Sequence, residues 1–241
     1  MRPHIFIQLF TILVLQSFLW SCTKKDDKCD ASIKPLVTTN SPVIAGDSLK
    51  LSVSGIGNVF MYNWYGPNGF SSHDSTPVLP GVSSTNSGRY YVDVITKGGC
   101  IYSATTDSVL IGAPVLPCSM AKNEGDLSGV TNLDFTYITG SPNGGSWFLE
   151  ANGPEGDAEI EFFGNTLPAT GVYTAQSLGG NWGPGNVHVN FTAASSIWYG
   201  SNGTVYVSVT NKKVSVTSCN VHFSSPTWNI KTTGSFQITQ P

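Results

Sequence analysis

A chain of 241 residues with 12 Lys and Arg against 15 Asp and Glu has a formal charge of −3, and only 11% of its residues are charged. Lysines scattered on a weakly acidic background form no basic stripe, which argues against nucleic acid as a partner. Gly, Ser, Thr, Asn and β-branched residues dominate and no long amphipathic helical period occurs, so the expected fold is all-β, with many short strands joined by turns.

Arg2 precedes an apolar stretch, Ile5 to Leu19, interrupted only by Gln8, Thr11, Gln16 and Ser17. At about fifteen residues it falls short of the ~20 that a spanning helix needs and suits the core of an export signal. It ends in Leu19-Trp20-Ser21-Cys22, and a polar run, Thr23 to Lys28, follows. This junction resembles the bacterial lipoprotein box, in which a cysteine thiol is diacylated and becomes the first mature residue. The resemblance implies a signal peptide over 1–21, lipid attachment at Cys22, a polar tether over 22–28 and a membrane partner reached through the lipid. Two or three acyl chains anchor stably where one is marginal. Lys24-Lys25-Asp26-Asp27 is also similar to the Lys/Asp-rich export tag of surface lipoproteins of Bacteroidota-type bacteria, which implies an outer-membrane, cell-surface location. A solvated tether explains the same run.

Beyond Cys22 the cysteines form an even set, Cys29, Cys100, Cys118 and Cys219, open to three connectivities. An oxidising compartment favours disulfides, and the absence of any CxxC pair argues against zinc. The preferred pairing is Cys29 with Cys100 and Cys118 with Cys219, each tying a domain's opening segment to a late strand.

Residues 29–113 read as the first domain. Ala31 to Thr39, carrying Pro35, suits an edge strand. Leu49, Leu51 and Val53 alternate with polar residues, and Phe60, Tyr62 and Trp64 share one face of the next strand. The turn Gly66-Pro67-Asn68-Gly69 follows. Asn86-Ser87-Gly88-Arg89-Tyr90-Tyr91-Val92 matches the tyrosine-corner stretch of immunoglobulin-like sandwiches, with Val92 in the cysteine slot. Leu51, Trp64 and Val92 then keep the Cys…Trp…Cys layout with aliphatic ends. The region, including Trp64-Tyr65-Gly66-Pro67-Asn68-Gly69-Phe70, resembles the Ig-like or PKD-like repeats of Bacteroidota surface proteins. That resemblance implies an Ig-like sandwich in which packing replaces the inter-sheet disulfide.

Pro114 and Pro117 mark 114–117 as a stiff linker, and 118–241 reads as a second antiparallel β-sandwich of eight to ten strands, loosely similar to β domains of comparable lipoproteins. Residues 123–131 suit a loop. Leu133, Phe135 and Tyr137 alternate as a strand, Ser141 to Gly145 turns, and Trp147 to Ala151 extends again. Ala158, Ile160 and Phe162 face one way and Glu159, Glu161 and Phe163 the other, while Val187, Val189 and Phe191 alternate with His188 and Asn190. After Val205, Val207 and Val209, the apolar phase slips between Val216 and Cys219, which predicts a β-bulge near Thr217-Ser218.

No catalytic or nucleotide-binding motif is present, so no catalytic residue, cofactor or metal is assigned. His73, His188 and His222 are isolated, although His188 and His222 lie on predicted strands and can converge. Glu155, Asp157, Glu159 and Glu161 suit either a solvated acidic face or oxygen ligands for calcium. Trp147, Trp182, Trp198, Tyr199 and Trp228 either pack the second domain or contact a ligand. Trp182, raised on Gly179-Gly180-Asn181-Trp182-Gly183-Pro184-Gly185, is the most accessible candidate. The expected function is a non-enzymatic, lipid-anchored surface protein presenting a binding or adhesion domain to a glycan or protein ligand. Glycan capture, which requires Trp182 and a second exposed Trp on one face, and a structural role in an envelope assembly are the alternatives.

Overall fold

The computed structural model describes residues 29–241, and the readings placed on the leader, on Cys22 and on the tether lie outside them. The chain is all-β. Its strands run β1 (Leu36–Thr39), β2 (Val43–Ile44), β3 (Leu49–Ser54), β4 (Val59–Tyr65), β5 (Ser71–Ser72), β6 (Val78–Leu79), β7 (Tyr91–Thr96), β8 (Ile101–Thr105) and β9 (Ile111–Gly112) through the N-terminal part. The C-terminal part holds β10 (Glu124–Leu127), β11 (Thr131–Asp134), β12 (Tyr137–Asn143), β13 (Ser146–Asn152), β14 (Gly156–Phe163), β15 (Gly171–Ala175), β16 (Asn186–Ala193), β17 (Ser196–Asn202), β18 (Thr204–Thr210), β19 (Lys213–Ser225) and β20 (Ile230–Thr239).

In the N-terminal sandwich a sheet ordered β1-β3-β6 faces one ordered β5-β4-β7-β8, and β2 pairs in parallel with β9 at the side. Leu49 and Leu51 from the first sheet and Trp64, Val92 and Val94 from the second are buried against one another. The tyrosine corner forms as the motif implies: the Tyr90 hydroxyl donates to the Asn86 carbonyl at 2.8 Å. The glycine-rich turn belongs to the same unit. The edge of Phe70 meets the Tyr90 ring at 5.4 Å, and Gly66 lies so close to that ring that a Cβ would overlap it. One expectation fails here. Phe60 is 70% exposed, because a register irregularity between Val59 and Met61 turns it outward and lets Val59 pack on the core instead.

The C-terminal sandwich is larger than expected, a single eleven-stranded sheet. Strands β15, β16, β17, β19 and β18 pair around a closed ring, from which β14-β13-β12 extends as one arm and β20-β10-β11 as the other. The arms fold over a common core in which Phe191 of β16 stacks on Phe223 of β19 at 4.9 Å and meets Phe236 of β20 edge-on. The β15–β16 pair is parallel, an exception to the antiparallel expectation, and the glycine-rich 176–185 segment carries the chain back between them. The predicted bulge lies in β19, where the register against β20 shifts between Ser218 and Val221.

Two local readings are corrected. Residues 124–127 are a strand, since Leu127 is fully buried and β10 bonds to both β11 and β20. Ser141 to Asn143 continue β12 and only Gly144-Gly145 turns, both at positive φ, which glycine adopts without a side-chain clash. The strand expected through Leu133, Phe135 and Tyr137 is broken between β11 and β12, so its alternation does not carry across: Tyr137 is exposed, and Ile138 takes the inward place.

The disulfides are Cys29–Cys100 and Cys118–Cys219, one in each sandwich. Between the sandwiches, the Ser84 N–H donates to the Thr170 carbonyl at 2.9 Å and the Thr170 N–H donates to Ser84 Oγ at 3.0 Å.

Candidate functional site

Strand alternation sends Leu149, Ile160, Val189 and Trp198 into the C-terminal core and places polar side chains on the opposite face of β13, β14, β16 and β17. Cross-strand register then sets these side chains in rows. Glu150 stands opposite Glu159, which is opposite Asn190, which is opposite Tyr199. Beside that row run Asn152, Asp157, Thr192 and Ile197, and on the other side Phe148, Glu161 and His188. All of these except Phe148 and His188 line, together with Ala158 and Leu178, a groove of about 610 Å³, and His188 adjoins it only through Glu161.

Four carboxylates share this face. Among the described residues no lysine or arginine forms an ion pair with any of them. Glu150 and Glu159 are directly opposite each other, an arrangement that repels. Asn152 donates to Asp157 at 3.0 Å and Asn190 donates to Glu159 at 3.4 Å. Glu161 is held on both oxygens: Ser146 Oγ donates to Oε1 at 2.6 Å, and His188 Nδ1 lies 2.9 Å from Oε2. Three of the four carboxylates are thus drawn to separate neighbours, and among the described residues no group of three His, Cys, Asp or Glu is arranged to hold a metal ion.

His188 is 93% buried, since it is 7% exposed, and its cover is Trp182. The indole lies flat on the imidazole, centroids 4.0 Å apart and planes at 14°, with Phe163 against its edge at 5.9 Å. The 176–185 segment carrying Trp182 is tied at its ends, where the Thr174 N–H donates to the Gly185 carbonyl and the Gln176 N–H to that of Val187, both at 2.9 Å. A carboxylate only accepts, so His188 Nδ1 carries the proton that bonds Glu161. The other ring nitrogen, Nε2, is buried with no hydrogen-bond partner among the described residues. The Ser146 hydroxyl rests on the carboxylate and not on the imidazole, so the three residues lack the nucleophile-to-base contact of covalent catalysis.

The aromatic candidates separate. Trp147 is buried against Phe162, and Trp198 is fully buried with its indole N–H on the Ala193 carbonyl, so both are core residues and not ligand contacts. Tyr199 lines the groove. Trp228 is 40% exposed and leans on inward-facing Trp198, whereas Trp182 covers outward-facing His188, so these two tryptophans do not share a face. His222 does not meet His188 either, because it lines a separate hollow with Asn202 and Asn220. Glu150, Ser146 and Asn190 went unnoticed in the sequence. Alternation points them outward, but only the β13–β14–β16 register brings them beside Glu159 and Glu161.

A second cleft of about 390 Å³ lies between the sandwiches, where Ser84 and Thr85 face Phe163, Leu167, Tyr173 and Pro184. Burial pushes the Tyr173 hydroxyl above its ordinary pKa, and the bond it donates to the Ala169 carbonyl at 2.9 Å works the other way. No protein-family model matches the chain, and no curated protein matches it.

Proposed function

We propose that the chain is a lipid-anchored cell-surface protein that acts by binding and not by catalysis. In this reading Cys22 fixes one end to the outer membrane, the N-terminal sandwich spaces, and the C-terminal sandwich presents the groove of β13, β14, β16 and β17 to a partner. The observation that carries the reading is the groove itself: four carboxylates without a lysine or arginine partner among the described residues, one of them bonded to an imidazole whose other nitrogen is buried and without a hydrogen bond, cost stability that core packing does not require. Groups kept at such a cost suit a ligand that arrives with the missing donors. The placement of Trp182 and Trp228 on different faces removes the paired tryptophan platform that the glycan-capture alternative relied on.

Two measurements test this. Cells grown with labelled palmitate should mark the wild-type chain and leave a Cys22→Ala variant unmarked; equal labelling of both rejects the anchor. External protease should degrade the wild-type protein on intact cells, and full protection there rejects surface display.

A further inference from the structure

The cleft between the sandwiches has the size and the walls of a small-molecule site. It holds about 390 Å³, within the roughly 300–1,000 Å³ typical of ligand pockets, and such pockets favour domain junctions. Its walls are mostly rings. Phe162 and Tyr173 meet edge-on at 5.4 Å and Pro184 lines the cleft with them. Phe163 and Leu167 line it too and remain exposed, so packing between the sandwiches leaves apolar surface uncovered. No charged side chain lines the cleft. A charged ligand would give up hydration there and meet no counter-charge, which selects a neutral one.

Each sandwich also brings a polar side chain with an unused hydrogen-bonding position. Ser84 Oγ accepts from the Thr170 N–H at 3.0 Å, and among the described residues its own proton has no acceptor. Asn186 Nδ2 donates to the Asn181 carbonyl at 2.8 Å, which fixes the amide and leaves Oδ1 as an acceptor without a donor among the described residues. The Tyr173 hydroxyl already donates to the Ala169 carbonyl, so toward a ligand it can only accept. One donor, two acceptors and uncharged aromatic walls match a ring with apolar C–H faces and several hydroxyls, since each hydroxyl both donates and accepts. A purely aromatic ligand would use the walls and leave the polar positions unpaired. We propose that this cleft binds a neutral pyranose ring of a saccharide, held between Ser84 of the small sandwich and Asn186 of the large one. The site is separate from the acidic groove and needs no tryptophan platform. Its occupant would also brace the seam, because Ser84 and Thr170 already bond across it.

The test titrates the full chain in detergent and follows binding by ligand-observed NMR. The probes are the methyl glycosides of glucose, galactose and mannose, two charged rings of the same size, glucuronate and glucosamine, and phenol. At least one methyl glycoside should bind, and methyl glucoside should bind at least ten-fold tighter than either charged ring. Leu167→Glu should abolish sugar binding without altering the fold, because Leu167 is exposed and the change only brings a carboxylate to the cleft. Phe163→Ala should weaken binding about ten-fold, and hydrogen exchange with the bound sugar should slow at the Ser84 and Thr170 amides. Sugar binding undiminished in Leu167→Glu overturns the site. Phenol binding tighter than every glycoside overturns the saccharide assignment, and charged rings binding as well as neutral ones overturn the argument from the uncharged walls. Binding of none of the glycosides overturns the inference outright.

Discussion

The two sandwiches reach stability by different routes. Among the described residues the N-terminal core gathers nine buried residues in one cluster, whereas the C-terminal core gathers 24. The smaller one depends on a few well-placed groups: Trp64 between Leu51 and Val92, the Tyr90 corner, and a disulfide outside that core. The larger one depends on bulk, with a closed ring of strands and three phenylalanines joining that ring to β20. Among the described residues, the larger sandwich carries on one sheet face four carboxylates that no lysine or arginine pairs. A big core supplies the reserve that a costly binding face draws on, since destabilising surface groups are tolerated only where stability exceeds the threshold for folding.

The comparison is tested most severely by removing one large core residue from each side. Trp198→Ala and Trp64→Ala should each cost about 3–5 kcal/mol. If the cores are separate cooperative units, hydrogen exchange will show Trp64→Ala loosening β3, β4 and β7 while β16 and β19 keep their protection, with the reverse for Trp198→Ala. Uniform loss across both would mean a single unit.

The disulfides should act next in size. They close 71 and 101 residues, so each is worth roughly 2–4 kcal/mol and the loop-entropy difference between them is only about 0.3 kcal/mol. Paired Cys→Ala variants measured by denaturant titration should therefore lose similar amounts in absolute terms. The same loss is the larger fraction for the small sandwich, so Cys29→Ala with Cys100→Ala should unfold its sandwich at the lower denaturant concentration. The opposite order would mean that the small core is not the weaker one.

What the sequence made legible follows the same division. The N-terminal sandwich carries a local motif, and Asn86, Tyr90, Trp64 and Gly66 do what their spacing implies because their contacts are set within a few residues or by one strand pair. Phe60 was misplaced because a bulge in the partner register is not written in the strand's own alternation. In the C-terminal sandwich alternation correctly assigned inward Ile160, Val189 and Val207 and outward Glu159, Glu161 and His188. It did not reveal the site, because Glu161 meets His188 only when β16 pairs with β14 past the intervening β15. The short β10 was missed for a related reason: Leu127 is its one large apolar residue, and its strand character comes from neighbours on both sides.

A smaller effect comes from one tyrosine in each sandwich, Tyr90 fully buried and Tyr173 partly so. Burial pushes the Tyr90 hydroxyl above its ordinary pKa, as it does that of Tyr173. A raised pKa favours the neutral form in the folded state, so this contribution is complete below the unfolded value of about 10 and is lost as pH rises through the higher folded value. Both sandwiches should lose stability in alkaline solution. Tyr90→Phe should cost about 1 kcal/mol at neutral pH by deleting the bond to Asn86 and should flatten the alkaline slope of the N-terminal transition alone. An unchanged slope would mean that Tyr90 ionises no differently in the folded state.

The smallest expected effect concerns the seam between the sandwiches. Ser84→Ala keeps the bond from the Ser84 N–H to the Thr170 carbonyl and removes the hydroxyl that accepts from the Thr170 N–H. Thr170 is buried, so its amide is left short of a partner, and the cost should be about 0.5–1.5 kcal/mol. Where that cost appears is more informative than its size. Thr170 begins the run into β15, and its own hydroxyl accepts from the Val209 N–H of β18, so the loss should lower amide protection at β15 and β18 of the large sandwich. Within the small sandwich Ser84 opens a short turn that Ser83 caps and lies in no strand, so protection at β4 and β7 should not change. Equal loss on both sides would instead mean that the seam couples the two cores, and the Trp64 and Trp198 variants would then be expected to spread their effects across it.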